Sequence, residues 1–369
     1  MKLIEYYIYK DYSDIVKREG LVITPETFYK VLKNRPDIAN LRYEMTTFCN
    51  RVVNNRLYFG CTSWAGDFLL VLELTSGTIR SCNYSKIREP NEAKIHNGLW
   101  YDEATHSLIF ATSTLSTIDK LVKAPGGKIV RYRIDSEEFE ILGYNEPGQY
   151  TQATVFDASR QLLYLFSFRA QKFGVFDVRT RSIITNVFMD SIPHIGVLDD
   201  RGRCWSTYGR SHKWCCYDPD KGDFIFYDTS IDSVEDSSNV MYCGAGPVDC
   251  MINGNDGFIY VSSAFGELYR LDPETGATIY LGRPVPQKRL PGLCIGPDGK
   301  IYLAGGDRDV TFLASYDRAS GAFNFIGNIE AKDGTKCYRP HALVYYDGAF
   351  YITETDVPDR SGFIWKIVV

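Results

Sequence analysis

The same two-strand unit returns seven times along this chain of 369 residues. Each copy is an apolar run, a turn of the Asp-Gly kind, and a second apolar run often carrying tyrosine. The copies are TTFCNRVVNNRLYFGCTS (46–63), IHNGLWYDEATHSLIFATS (95–113), TQATVFDASRQLLYLFS (151–167), PHIGVLDDRGRCWSTYG (193–209), PVDCMINGNDGFIYVSS (247–263), PGLCIGPDGKIYLAGG (291–306) and PHALVYYDGAFYITET (340–355). His96 to His194 is two steps of 49 residues and His194 to His341 is three. A second pair of short strands follows the first, clearest in WCCYDPDKGDFIFYD, ELYRLDPETGATIYLG and LASYDRASGAFNFIG, where Asp, Pro, Ser and Gly stand where a tight hairpin needs them. Each unit therefore reads as a four-stranded antiparallel meander, strands A to D, and repeats of this size predict propeller blades. The expected fold is all-β: one seven-bladed β-propeller over residues 1–369, with blades starting near 46, 94, 150, 192, 245, 289 and 338.

The seventh copy stops at GFIWKIVV, which supplies a third strand and no fourth. An open sheet edge invites aggregation. The unrepeated KLIEYYIYKD near the N-terminus, or LVIT at 21–24, is expected to supply the missing outer strand and close the ring. Residues 24–36 read as a short helix, with Thr24 as N-cap and Pro25 in its first turn.

Composition narrows the class. Aromatic residues reach 14%, mostly Tyr and Phe, which suits pleated and half-buried surfaces. A formal charge of −5 without a basic stripe argues against nucleic acid and anionic membranes as partners. No apolar run of spanning length occurs and MKLIEYYIYKDYSD lacks a signal-peptide core, so a cytoplasmic protein is expected. The ten cysteines contain no C-x-x-C pair and read as reduced thiols at strand positions.

Positions that only build a blade should look alike in all copies; reactive residues where the copies differ are site candidates. In a propeller the residues ahead of strand A and after strand B meet at one mouth of the central channel. Ahead of strand A stand Phe48, His96, Gln152, His194, Asp249, Gly292 and His341; after strand B stand Trp64, Thr112, Ser113, Arg169, Tyr208, Arg210, His212, Ser263, Asp307 and Glu354. Four of the five histidines fall in these sets. The fifth, His106, lies in an A–B turn at the opposite face and reads as structural.

Such a rim supports two chemistries. Imidazoles beside carboxylates are metal ligands, with Glu354 and Asp249 joining the histidines around Mg, Mn or Ca. Alternatively His341, His194, His96 and Tyr208 carry acid–base work. Arg339, Arg169 and Arg210 suit a substrate carboxylate through their forked donors, and Tyr150, Trp64 and Gln152 complete a binding surface. Blade-to-blade hydrogen bonding is the structural alternative for each histidine, and a salt bridge for Glu354. The long loop STLSTIDKLVKAPGG (113–127) reads as a partial lid containing a helical turn.

IGPDGKIYLAGG and HALVYYDGAFYITET resemble the blade motif of virginiamycin B lyase, and the whole set is similar to the propellers of polysaccharide lyases and related rhamnosidases. The resemblance implies chemistry at the channel mouth: His and Tyr moving protons, Arg or a metal on a carboxylate, or His and Glu around magnesium. It points to His341, His194, His96 and Glu354. The expected function is a lyase acting by β-elimination on a small uronate-containing oligosaccharide or glycoside. The alternatives are a binding propeller without chemistry, or a glycoside hydrolase using paired carboxylates among Asp249, Asp307 and Glu354.

Overall fold

The computed structural model describes residues 1, 3–10, 47–63, 67–114, 123–147, 150–168, 170–231, 246–308, 310–355 and 362–369. Among these, seven four-stranded antiparallel sheets stand around one axis. Their innermost strands are Thr47–Val53, Leu99–Asp102, Thr151–Asp157, Val197–Leu198, Val248–Asn253, Gly292–Ile295 and Pro340–Tyr346.

The C–D hairpins show how sequence becomes blade. In DPDKG, DPETG and DRASG the Asp carboxylates of Asp218, Asp272 and Asp317 accept backbone N–H groups two residues on. Gly222, Gly276 and Gly321 close each turn at φ 68°, 71° and 71°, donating their N–H to the carbonyls of those same aspartates at 2.8 Å. A residue with a Cβ is disfavoured at such φ, so the Asp…Gly spacing dictates the turn.

The expected ring closure is present. Leu3–Lys10 pairs antiparallel with Gly362–Val368, from Leu3 opposite Val368 to Lys10 opposite Gly362. Tyr6 stacks on Phe363, ring centroids 4.7 Å apart, and lies against Trp365 at 5.3 Å. KLIEYYIYKD, rather than LVIT, therefore supplies the seventh blade's outer strand; LVIT and the expected helix at 24–36 lie outside the described residues.

Inner strands are buried while outer ones alternate. Thr151–Asp157 is buried at every position; Ser182–Phe188, the outer strand of the same blade, is exposed at Ser182, Ile184 and Phe188. The cores lie between blades: one cluster joins Ala153, Tyr164 and Phe173 to Cys204, Cys215 and Tyr217 of the next sheet. Buried tryptophans place their N–H groups on polar partners, Trp205 on Asp199, Trp214 on Thr278 and Trp365 on Glu354, at 2.8 to 2.9 Å. The nine cysteines among the described residues are free thiols. No helix among them is long and apolar enough to cross a membrane.

The second blade carries an addition. Glu92–Lys94 pairs with Ser113–Thr114 as a two-stranded ribbon, so the start of the expected lid is strand; residues 115–122 lie outside the described set. Lys128, buried beneath it, donates to Glu92 Oε2 at 3.1 Å, and Tyr84 donates to Glu92 Oε1 at 2.7 Å. These bonds satisfy an ion pair that would otherwise be costly to bury.

Candidate active site at the channel mouth

Four of the seven inner strands are irregular at one place, and that place holds the candidate residues. The pairing register shifts between Thr47 and Cys49, Thr151 and Ala153, Val248 and Cys250, and Pro340 and Leu343. Phe48, Gln152, Asp249 and His341 fall in these shifts. A bulge removes its residue from the alternation of the strand and re-aims the side chain.

His96 arrives by a different device. Asn97 forms a parallel bridge to Ala153 of the next blade: Asn97 N donates to Gln152 O at 3.3 Å and Thr154 N to Asn97 O at 2.7 Å. Gly98, at φ 129°, permits this approach, because a Cβ there would lie 2.1 Å from Thr154 Oγ1.

The three histidines gather at one mouth. The His96 ring centroid lies 5.6 Å from that of His194 and 6.1 Å from that of His341. Phe48 packs between, 4.2 Å from His96 and 5.3 Å from His341. His96 Nδ1 donates to the Gln152 carbonyl at 2.7 Å, which leaves Nε2 as acceptor. The Gln152 side-chain nitrogen faces His96 Nε2 at 3.4 Å and His194 Nδ1 at 2.9 Å. Both imidazoles thus accept from one carboxamide, and both are buried.

Their electrostatics agree with that arrangement. Burial holds the His96 imidazolium well below its usual pKa, helped by Lys94, His194 and His341. Burial also takes His194 down to about 3, with His341 adding to the effect and Asp249 opposing it. Lys94, which the repeat comparison did not single out, lies with its Nζ 4.6 Å from the Phe48 ring centroid and 5.2 Å from that of Tyr150. Two residues before His96, it shares that residue's side of the chain, which is the one sequence signal for it.

His341 differs from its two partners. It is half-buried and lines a cavity of about 540 Å³ that runs into the central channel. His96, His194 and Gln152 are buried and are not among the residues that line it.

Other expected residues are placed elsewhere. The Tyr208 hydroxyl donates to Tyr227 O at 3.1 Å and its ring packs on Phe226, towards the outer strand and away from the histidines. Position after strand B located its end of the blade but not its face. Arg210 is a surface side chain, 89% exposed, 3.8 Å from Asp190. Arg339 forks Asp307 at 2.7 and 3.1 Å, so its donors are not turned to a substrate carboxylate. Tyr150 is buried with its ring edge-on to Phe168. Trp64 and Arg169 lie outside the described residues.

The proposed metal carboxylates are engaged with protein. Asp249 is forked by Arg289 at 3.0 Å to each oxygen and accepts Leu290 N at 2.9 Å. Burial raises its pKa, but Arg289 and these bonds outweigh that and hold the carboxyl below its usual range. Glu354, fully buried, accepts Trp365 Nε1 at 2.8 Å and the Tyr338 N–H. Among the described residues no three His, Cys, Asp or Glu side chains form a ligand group. With Asp307 held by Arg339, the carboxylate pair of a glycoside hydrolase is not presented either. Arg289, four residues before Leu293 in a segment that reads as linker, gave no signal in the sequence.

Ring and mouth together define a seven-bladed β-propeller whose channel is headed by three imidazoles. No family model and no curated protein matches the chain by sequence. Solved structures do match: virginiamycin B lyase from Staphylococcus aureus is 12% identical, with a TM-score of 0.64 over 89% of this chain and 97% of that one. A streptogramin B lyase structure is 13% identical, with a TM-score of 0.63 over 89% and 95%. The extracellular domain of a hybrid two-component system from B. thetaiotaomicron is 13% identical, with a TM-score of 0.57 over 87% of this chain and 38% of that one. At such identities the likeness shows the fold.

Proposed function

We propose that this chain is a lyase-type enzyme whose base is His341. The observation that carries this reading is the placement of that imidazole on the cavity wall, with two neutral imidazoles packed behind it. His341 would take a proton from a carbon next to a carbonyl or carboxylate. The C–H electron pair becomes a carbon–carbon double bond, the neighbouring C–O bond breaks, and the leaving oxygen takes that pair and then the proton. Because His96 and His194 stay uncharged, an imidazolium formed at His341 does not face two others. Lyase names among the structures similar in fold support the reaction class. The substrate we propose is a small uronate-containing oligosaccharide or glycoside.

The test is ultraviolet absorbance of a conjugated product, measured on uronate oligosaccharides and uronate glycosides. Wild type should form product, and His341→Ala and His341→Gln should lose about 10²- to 10⁴-fold in kcat/KM while remaining folded. Full activity in either variant removes His341 from the role. One observation favours a binding propeller without chemistry: His96 and His194 already spend ring nitrogens on Gln152. Saturable binding of these compounds without turnover would establish that alternative.

A further inference from the structure

The channel cavity contains a cation, Arg51, that has no ion-pair partner among the described residues. Arg51 stands on the innermost strand of the first blade, three residues beyond Phe48, about 10 Å at a strand's rise. It is half-buried and lines the same cavity as His341. Its Nε donates to the Leu99 carbonyl at 3.2 Å, and its guanidinium carbon lies 5.1 Å from the Trp100 ring centroid. It forms no ion pair among the described residues, whereas Arg289 and Arg339 are each forked onto a carboxylate. The one carboxylate on the cavity wall, Asp249, is the one held by Arg289. The cavity wall carries Leu99, Val155, Leu198, Ile252 and Val344, with Asn50, Asn97 and Asn253 as polar members. Burial disfavours the charge there, opposed only by the neighbouring Cys49 thiol. Trp100 is fixed by its own bonds to Thr154 O and Oγ1 at 2.9 and 3.1 Å, so the ring is a rigid platform.

We infer that Arg51 and Trp100 form a recognition site for the carboxylate of a small organic acid with an apolar body. A guanidinium presents two parallel donors that match a carboxylate, and its flat face stacks on indole while those donors are used. The apolar wall takes the rest of the molecule, and a cavity of about 540 Å³ is of the size that encloses a small ligand. The site stands on the channel geometry and does not require His341 to act as a base.

The experiment is calorimetric titration of the whole chain with benzoate, phenyl phosphate and benzyl alcohol. Wild type should bind benzoate at one site per chain and benzyl alcohol much more weakly. Arg51→Met should weaken benzoate by about tenfold to a hundredfold, and Arg51→Lys less. Arg51→Met should melt close to wild type, because removal of the half-buried charge offsets the lost bond to Leu99 O. Equal binding of benzoate by Arg51→Met, no saturable benzoate binding by wild type, or benzyl alcohol binding as well as benzoate overturns the site. Tighter binding of phenyl phosphate overturns the carboxylate assignment.

Discussion

One carboxamide nitrogen, that of Gln152, lies 2.9 Å from His194 Nδ1 and 3.4 Å from His96 Nε2, joining imidazoles carried by the blades on either side of its own. An amide N–H can only donate, so both ring nitrogens must carry lone pairs. Gln152 thereby selects the uncharged form of each histidine. Gln152→Leu leaves those two buried acceptors without a donor and should cost about 1–3 kcal/mol for each, read as a lower urea midpoint. Gln152→Glu should reverse the electrostatics: NMR titration of the ring carbons should show His194 protonating far above its wild-type value of about 3. An unmoved titration would mean that burial alone sets it.

Stability should fall in mild acid. The unfolded histidine protonates near 6.5, whereas folded His194 does so near 3, and His96 is displaced in the same direction. Between those values the unfolded chain binds more protons, so lowering the pH favours unfolding, by up to about 1.4 kcal/mol per pH unit for each such histidine. His194→Asn keeps an acceptor without the titration. It should therefore lose less stability than wild type between about pH 7.5 and about pH 5. Parallel denaturant curves at the two pH values check this, and equal losses would contradict it.

Arg289 and Asp249 form a buried fork near the mouth. Arg289→Met should destabilise the fold by about 3–5 kcal/mol, since it strands a buried carboxylate. Arg289→Met combined with Asp249→Leu should recover most of that. A double-mutant cycle by chemical denaturation measures the coupling, and additive losses would mean the pair is not a unit.

Removal of residues 1–10 uncovers the edge of Gly362–Val368 together with the ring faces on which Tyr6 packs. The truncated chain should elute as higher-order species in size-exclusion chromatography. Adding the peptide LIEYYIYK should restore the elution volume of the full chain by strand complementation. A truncated chain that keeps that elution volume and melting temperature would show the strand to be dispensable.

The blades were legible because their signals are local. Asp…Gly hairpins and a spacing of 49 residues are written in adjacent letters, and the unfinished seventh copy implied a strand from elsewhere. The histidines were legible as departures from the repeat. Facing was not. Tyr208 has the right position along its strand yet turns to Tyr227, because the side chosen depends on register. Phe48, Gln152, Asp249 and His341 sit in register shifts that no residue pattern announces. Arg339 and Glu354 were matched by residue type to a carboxylate and a metal, but the fold supplies Asp307 and Trp365 as their partners. Arg51 escaped notice because it lies inside a strand, where an arginine reads as outward-facing.

A residue at a bulge contributes little to the ladder that holds its sheet together. His341, half-buried on the cavity wall, can therefore be exchanged by mutation at small expense to the hydrogen bonding of its sheet. Gln152 and Asp249 sit in the same kind of bulge but also hold buried partners, so their exchange is costlier. New specificities can then arise at the mouth by single substitutions while the blades stay as they are.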